Sequence, residues 1–200
     1  MPMLLTSSMF MMMNWTDTLF LGYYCPGADV GIYNIVKKIS LLITISLFAV
    51  NAVAEKQFAR FYVQRDIGAL KRLGLQIAWV NTLVAAPIFL VIVLFPLFFI
   101  NFFGPGFSEG KLLLIILCVA QLFSAICGSV LNLLNMAGHE RVVSRILAGA
   151  TLANLGLNIW LIPLLGMYGA AISSLVSTLG WGLAGLYYVR KYFKFWMLPC

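Results

Sequence analysis

Charge is what this sequence has least of. Only 10% of its 200 residues are Asp, Glu, Lys or Arg, and 62% are hydrophobic. Soluble domains carry about 25% charged and 45–50% apolar residues. A core of this size cannot bury so much apolar surface and still leave a polar exterior, so an aqueous solvent is excluded and the chain is read as an integral membrane protein. Alternation of period two is absent, which excludes the short lipid-facing strands of a β-barrel. There is one histidine, and no H-E-x-x-H, P-loop or carboxylate pair beside a nucleophile. The chain is therefore expected not to be an enzyme, to need no cofactor or metal, and not to draw directly on ATP.

Other absences narrow the reading further. The first basic residue is Lys37, so the N-terminal apolar run lacks the charged start of a signal peptide and is read as mature structure. A formal charge of +7 could suggest nucleic acid, but the basic residues fall in short loops without an extended basic face. Of the four cysteines, Cys118 and Cys127 lie in an apolar run, Cys25 in a turn and Cys200 at the end of the chain. None has metal-ligand spacing, and free thiols are expected.

What is present is a series of apolar runs of membrane-spanning length. The spacing predicts an all-α, six-helix transmembrane bundle occupying residues 1–200 as a single domain, with spans over 2–24, 30–54, 73–99, 112–135, 142–164 and 168–189. Turns such as "CPGAD" and "GPGFSEG" separate them. Lys56, Arg60, Arg65, Lys71, Arg72, Arg141, Arg145, Arg190, Lys191 and Lys194 then all fall on one side, against Lys111 on the other. The positive-inside rule places the ten, and both termini, in the cytoplasm.

Two lysines remain, Lys37 and Lys38, inside the second span. At 1.5 Å per residue Lys37 lies roughly 12 Å below the outer end of its helix, and Asp17 roughly 10 Å below that of the first. A tight turn joins these helices, so they are expected to be antiparallel neighbours with an intramembrane ion pair within reach. A lysine near the centre of a span costs about 2.5–3.5 kcal/mol on insertion scales. Tyr33, Lys37, Ser40, Thr44, Asn51 and Glu55 share one helical face, with Asn34 between it and Lys38; Thr6, Ser7, Asn14 and Asp17 share a face of the first helix. Two readings stand: a buried Asp17–lysine pair that fixes helix packing while the other lysine snorkels, or a polar cavity lining with a substrate-facing cation.

Asn154 and Asn158, four apart, and Gln121 either bond between helices or line the cavity. Pro87 and Pro96 can bend the third span, and His139 in "GHER" is expected to be solvated. "GWGLAG", residues 180–185, has the spacing of a dinucleotide loop but lies in mid-span, where small residues let helices pack closely.

Taken in order, "WTDTLFLGYY…ADVGIYNIVKKISLL", "FFGPGFSEG", "LLNMAGHER" and "NLGLNIWLIPLLGMYGAAIS" resemble the second half of prokaryotic oligosaccharide flippases. Those are the O-antigen and capsule translocases, or polysaccharide biosynthesis proteins, of the multidrug/oligosaccharidyl-lipid/polysaccharide exporter superfamily. The resemblance covers nearly the whole chain. It implies one bundle of a two-bundle exporter, with a missing N-terminal six-helix bundle supplied by a longer reading frame or a partner, and the two bundles related as parallel repeats. It also implies flipping of polyprenyl-pyrophosphate-linked oligosaccharide across the cytoplasmic membrane by alternating access, for surface polysaccharide such as lipopolysaccharide. Relatives often carry a basic residue at the place of Lys38, whereas periodicity favours Lys37; both stay open. The rivals are a cation-coupled multidrug exporter, with Asp17 as the proton or sodium site, and a non-transporting membrane scaffold.

Overall fold

The computed structural model describes residues 2–103, 110–195 and 197. Residues 104–109 of the expected "GPGFSEG" turn, the side chains of Thr6 and Ser7, and Cys200 lie outside the described residues. The described chain is helical throughout, with no strand: α1 Pro2–Tyr24, α2 Gly27–Leu41, α3 Ile45–Val63, α4 Ile67–Leu94, α5 Pro96–Asn101, α6 Lys111–Met136, α7 Glu140–Leu165 and α8 Met167–Phe193. A 3₁₀ turn, Leu42–Thr44, joins α2 to α3.

Local chemistry accounts for most boundaries. Pro26, at φ −58°, immediately precedes α2, using a backbone angle its ring already fixes. Asp66 caps α4, its Oδ1 accepting from the Ala69 amide at 2.8 Å, which satisfies one of the orphan donors of the first turn. Gly166 takes φ +56° between α7 and α8, a conformation that favours glycine. Just beyond it, a Cβ on Gly169 would lie 2.3 Å from the Leu161 carbonyl oxygen, so a residue with no side chain is required where α8 leaves α7.

Two of the expected spans are interrupted. The third ends as a continuous helix at Leu94, and α5 restarts at Pro96, because a proline ring cannot continue the hydrogen-bond ladder. Pro87 sits inside α4 without ending it. The second span divides at the 3₁₀ turn although "LLITIS" contains neither proline nor glycine. Ser40 Oγ donates to the Lys37 carbonyl at 2.8 Å and Thr44 Oγ1 to the Leu41 carbonyl at 3.0 Å. These hydroxyls satisfy backbone oxygens at the break, the competition with helical bonding that Ser and Thr characteristically offer.

Alongside an apolar core, several polar side chains are buried while large apolar ones face outward. Asp17, Asn81, Asn154, Asn158 and Ser173 are buried, while Leu19, Leu83, Leu94, Leu152 and Trp160 are each more than half exposed. That is the pattern of a protein solvated by lipid. Among the described residues four helices, α4, α6, α7 and α8, are long and apolar enough to cross a membrane. Of the six expected spans, α6, α7 and α8 run uninterrupted, the second and third are divided, and α1 accompanies them.

Within the bundle, α6 packs against α2, α3, α4 and α8, while α7 packs between α1 and α8. A Cβ on Gly182 would lie 2.4 Å from the Phe123 ring, and one on Gly185 would lie 3.1 Å from Val130. The "GWGLAG" glycines at 182 and 185 therefore set α8 closely against α6, while Gly180 has open space around it. Cys25, Cys118 and Cys127 are free thiols. Burial, with a smaller contribution from Asp29, raises the pKa of the Cys25 thiol in the α1–α2 turn and keeps it protonated.

Candidate functional site

The carboxylate of Asp17 joins four helices. It is only 1% exposed. Its Oδ1 accepts from Asn158 Nδ2 at 2.8 Å and Asn154 Nδ2 at 3.3 Å, both on α7. Its Oδ2 accepts from Tyr33 Oη of α2 at 2.9 Å and Ser174 Oγ of α8 at 2.5 Å. Lys37 Nζ completes the set at 3.5 Å, forming an ion pair. The ammonium also donates to the Asn14 carbonyl at 2.6 Å and lies 5.6 Å from the centre of the Tyr33 ring. A carboxylate buried in this way is tolerable only if donors and an opposite charge replace its lost hydration, and four donor side chains and one cation do so here.

The remaining sequence candidates fall around this seam or away from it. Asn14 and Asn34 donate side-chain amides to carbonyls one turn earlier, Phe10 and Val30, and Asn34 Oδ1 accepts from Thr18 Oγ1 across the α1–α2 contact. Ser40 and Thr44 serve the helix break. Lys38 is exposed, about 100° around α2 from Lys37. Gln121 is half-buried on α6. Asn51 belongs to a second network: Ser129 Oγ donates to Asn51 Oδ1 at 2.7 Å, and Asn81 Nδ2 donates to Ser129 Oγ at 3.2 Å. That network ties α3, α4 and α6 together. His139 stacks on Tyr192, their ring centres 4.1 Å apart, and is only partly exposed.

Next to Asn51 opens a groove of about 570 Å³ between α1, α3, α6, α7 and α8, with Phe10, Asn51, Glu55, Asn132, Asn135 and Trp181 among its walls. It lies toward the end of the bundle that bears the α3–α4 and α6–α7 connections, while the Asp17 seam lies toward the other end. The two share helices. Phe10 and Asp17 are seven residues apart on α1, as are Ser174 and Trp181 on α8, which places groove and seam on common faces roughly 10 Å apart.

Sequence reasoning did not single out Ser174, Ser129, Asn81 or Trp181. A lone hydroxyl or amide in an apolar helix carries no spacing signal, and its partner lies 48 to 157 residues away. Tyr33 was legible as a neighbour of Lys37 by its four-residue offset.

An all-α, multi-pass bundle with a buried charged seam and a partly open, mainly apolar groove dotted with carboxamides is the architecture of a membrane transporter. The MatE family model matches residues 2–160, and the chain belongs to that family. Over 177 residues it is 30% identical to the probable flippase AglR of Haloferax volcanii, an alignment covering 84% of this chain and 36% of that relative. The chain therefore spans little more than a third of the length of the relative it matches. No solved structure matches it. The family expected from the ordered motifs is thus the family found.

Proposed function

We propose that this chain is one bundle of a two-bundle exporter that flips polyprenyl-pyrophosphate-linked oligosaccharide across the cytoplasmic membrane by alternating access, supplying surface polysaccharide of the O-antigen or lipopolysaccharide kind. In this reading α1 and the α2–α3 segment complete six crossings, the basic α3–α4 and α6–α7 connections face the cytoplasm together with both termini, and a second six-helix bundle covers the face bearing Lys38. The observation that carries the proposal is the division of labour between the two lysines. Lys37 is engaged by Asp17, whereas Lys38 is exposed at nearly the same depth of an apolar segment. A pyrophosphate drawn out of water needs a compensating cation, and Lys38 is placed to offer one. The flippase named among the relatives supports the same direction.

A second reading has its own support. Asn158 Oδ1 is buried beside Asp17 without a hydrogen-bond partner among the described residues. An acceptor of this kind next to a carboxylate suits a coupling cation, as in a cation-driven exporter. One comparison separates the readings. Deleting the gene should lower the fraction of lipid-linked oligosaccharide that a lectin reaches on the outside of intact spheroplasts. If that fraction is unchanged while sodium- or pH-dependent efflux of an organic cation disappears, the second reading replaces the first. If neither changes, the chain is a scaffold.

A further inference from the structure

We infer that the groove walled by α1, α3, α6, α7 and α8 is a subsite for an uncharged, hydroxyl-rich sugar unit, and that Glu55 excludes acidic sugars from it. This deepens the flippase reading and rests on it for its biological meaning, while the chemistry of the groove argues for it separately. At about 570 Å³ the groove falls within the ~300–1,000 Å³ typical of small-molecule sites. Asn132 and Asn135 present carboxamides, which both donate and accept and so suit hydroxyls that do the same, while Asn51, its Oδ1 taken by Ser129, adds an amide donor. Phe10, exposed on the groove wall, supplies an aromatic face of the kind that covers the apolar C–H face of a pyranose ring, with the buried Trp181 ring against it.

Charge then fixes the class of ligand. Among the described residues that line the groove, Glu55 is the one charged side chain. A phosphate or uronate in the groove would meet a carboxylate and no cation among the lining residues, so it would trade its hydration for a like charge without a counter-ion. A neutral sugar instead offers hydroxyl hydrogens to the carboxylate. The pyrophosphate of a lipid-linked substrate is accordingly left to Lys38, toward the other end of the bundle.

Two atoms of the walls lack partners. Trp181 Nε1 and Asn135 Oδ1 are buried with no hydrogen bond among the described residues, although Trp181 is only 3% exposed. An orphaned donor and an orphaned acceptor are costly and uncommon in native proteins, and a polyhydroxylated ligand can satisfy both. Phe10 meets the Trp181 ring edge-on with centres 6.3 Å apart and is itself 39% exposed.

The test is saturation-transfer NMR on the chain in lipid nanodiscs, with diacetylchitobiose as the neutral probe and a hyaluronan disaccharide as the acidic one. Wild type should transfer saturation to the neutral probe and not to the acidic one. Trp181→Phe, which keeps the ring and loses the N–H, should weaken neutral binding roughly tenfold, as losing one buried hydrogen bond does. Glu55→Gln should admit the acidic probe. Equal binding of both probes by wild type, absence of neutral binding, or wild-type affinity in both Trp181→Phe and Asn135→Leu would each overturn the inference. Neutral-sugar binding without any effect of the gene on lectin-accessible oligosaccharide would reject the flippase and leave the groove standing. Loss of that translocation without sugar binding would do the reverse.

Discussion

Replacing Asp17 with leucine is expected to loosen the bundle by about 3–5 kcal/mol, the cost of removing one partner of a buried charge pair. The loss is large because five groups depend on one carboxylate. Lys37 keeps a charge at the seam, and Tyr33, Asn154, Asn158 and Ser174 keep donors with no acceptor. Asn154 and Asn158 can turn toward each other, since Asn158 already donates to Asn154 Oδ1 at 3.2 Å, so part of the loss is recoverable on α7. The contacts to α2 and α8 have no such substitute. Detergent-solubilised protein should therefore unfold at a markedly lower temperature, and a second change, Lys37→Met, should restore part of the difference by removing the stranded cation. If Asp17→Leu melts with wild type, the seam does not hold these helices together. If Lys37→Met fails to recover any stability in that background, the ion pair is not the interaction that matters.

The second large effect separates the two lysines. Lys38→Ala, introduced into the gene encoding this chain, is expected to lower surface polysaccharide by tenfold or more while membrane abundance and thermal stability stay at wild type. A factor of ten corresponds to about 1.4 kcal/mol, less than a single charge-assisted hydrogen bond to phosphate can contribute. Lys37→Ala should behave oppositely at first order, reducing stability because Asp17 loses its counter-charge inside the bundle. Its effect on export then follows from reduced abundance. The pair of variants is informative together. Equal loss of export at equal abundance would mean that both cations meet the substrate. Unchanged export in Lys38→Ala would remove the substrate role from the exposed lysine.

The class of this protein was legible because lipid imposes its constraint on composition. Ten percent charge and long apolar runs leave no soluble alternative, and an ion pair between Asp17 and one of the two lysines was within reach from helical rise and a short turn. The interruption at Leu42–Thr44 was not legible. Proline marks the α4–α5 break, but the α2–α3 break depends on Ser40 and Thr44 hydroxyls bonding backward, and the same residues elsewhere in an apolar helix leave it intact. Thr151 Oγ1, for example, donates to Leu147 O at 2.8 Å within the unbroken α7.

Periodicity favoured Lys37 for the polar face and the family resemblance favoured Lys38, a fixed 100° apart, but neither says what packs against that face. Tertiary packing shows what each meets: Asp17, Tyr33 and the Asn14 carbonyl all lie on the Lys37 side, and Lys38 is exposed. The groove was partly visible in the shared face of Asn51 and Glu55. Its aromatic wall was not, since Phe10 and Trp181 read as ordinary apolar residues until α1 and α8 are brought together.

Thiol labelling reaches the core of this account most directly. In a background with the native cysteines replaced, Lys38→Cys and Lys37→Cys would each be treated with a membrane-impermeant methanethiosulfonate in intact cells. Modification is expected to be rapid at position 38, slowed when lipid-linked oligosaccharide accumulates, and little or none at position 37 behind the Asp17 seam. Modification at 37 as fast as at 38, or protection of both by surrounding lipid, would contradict it.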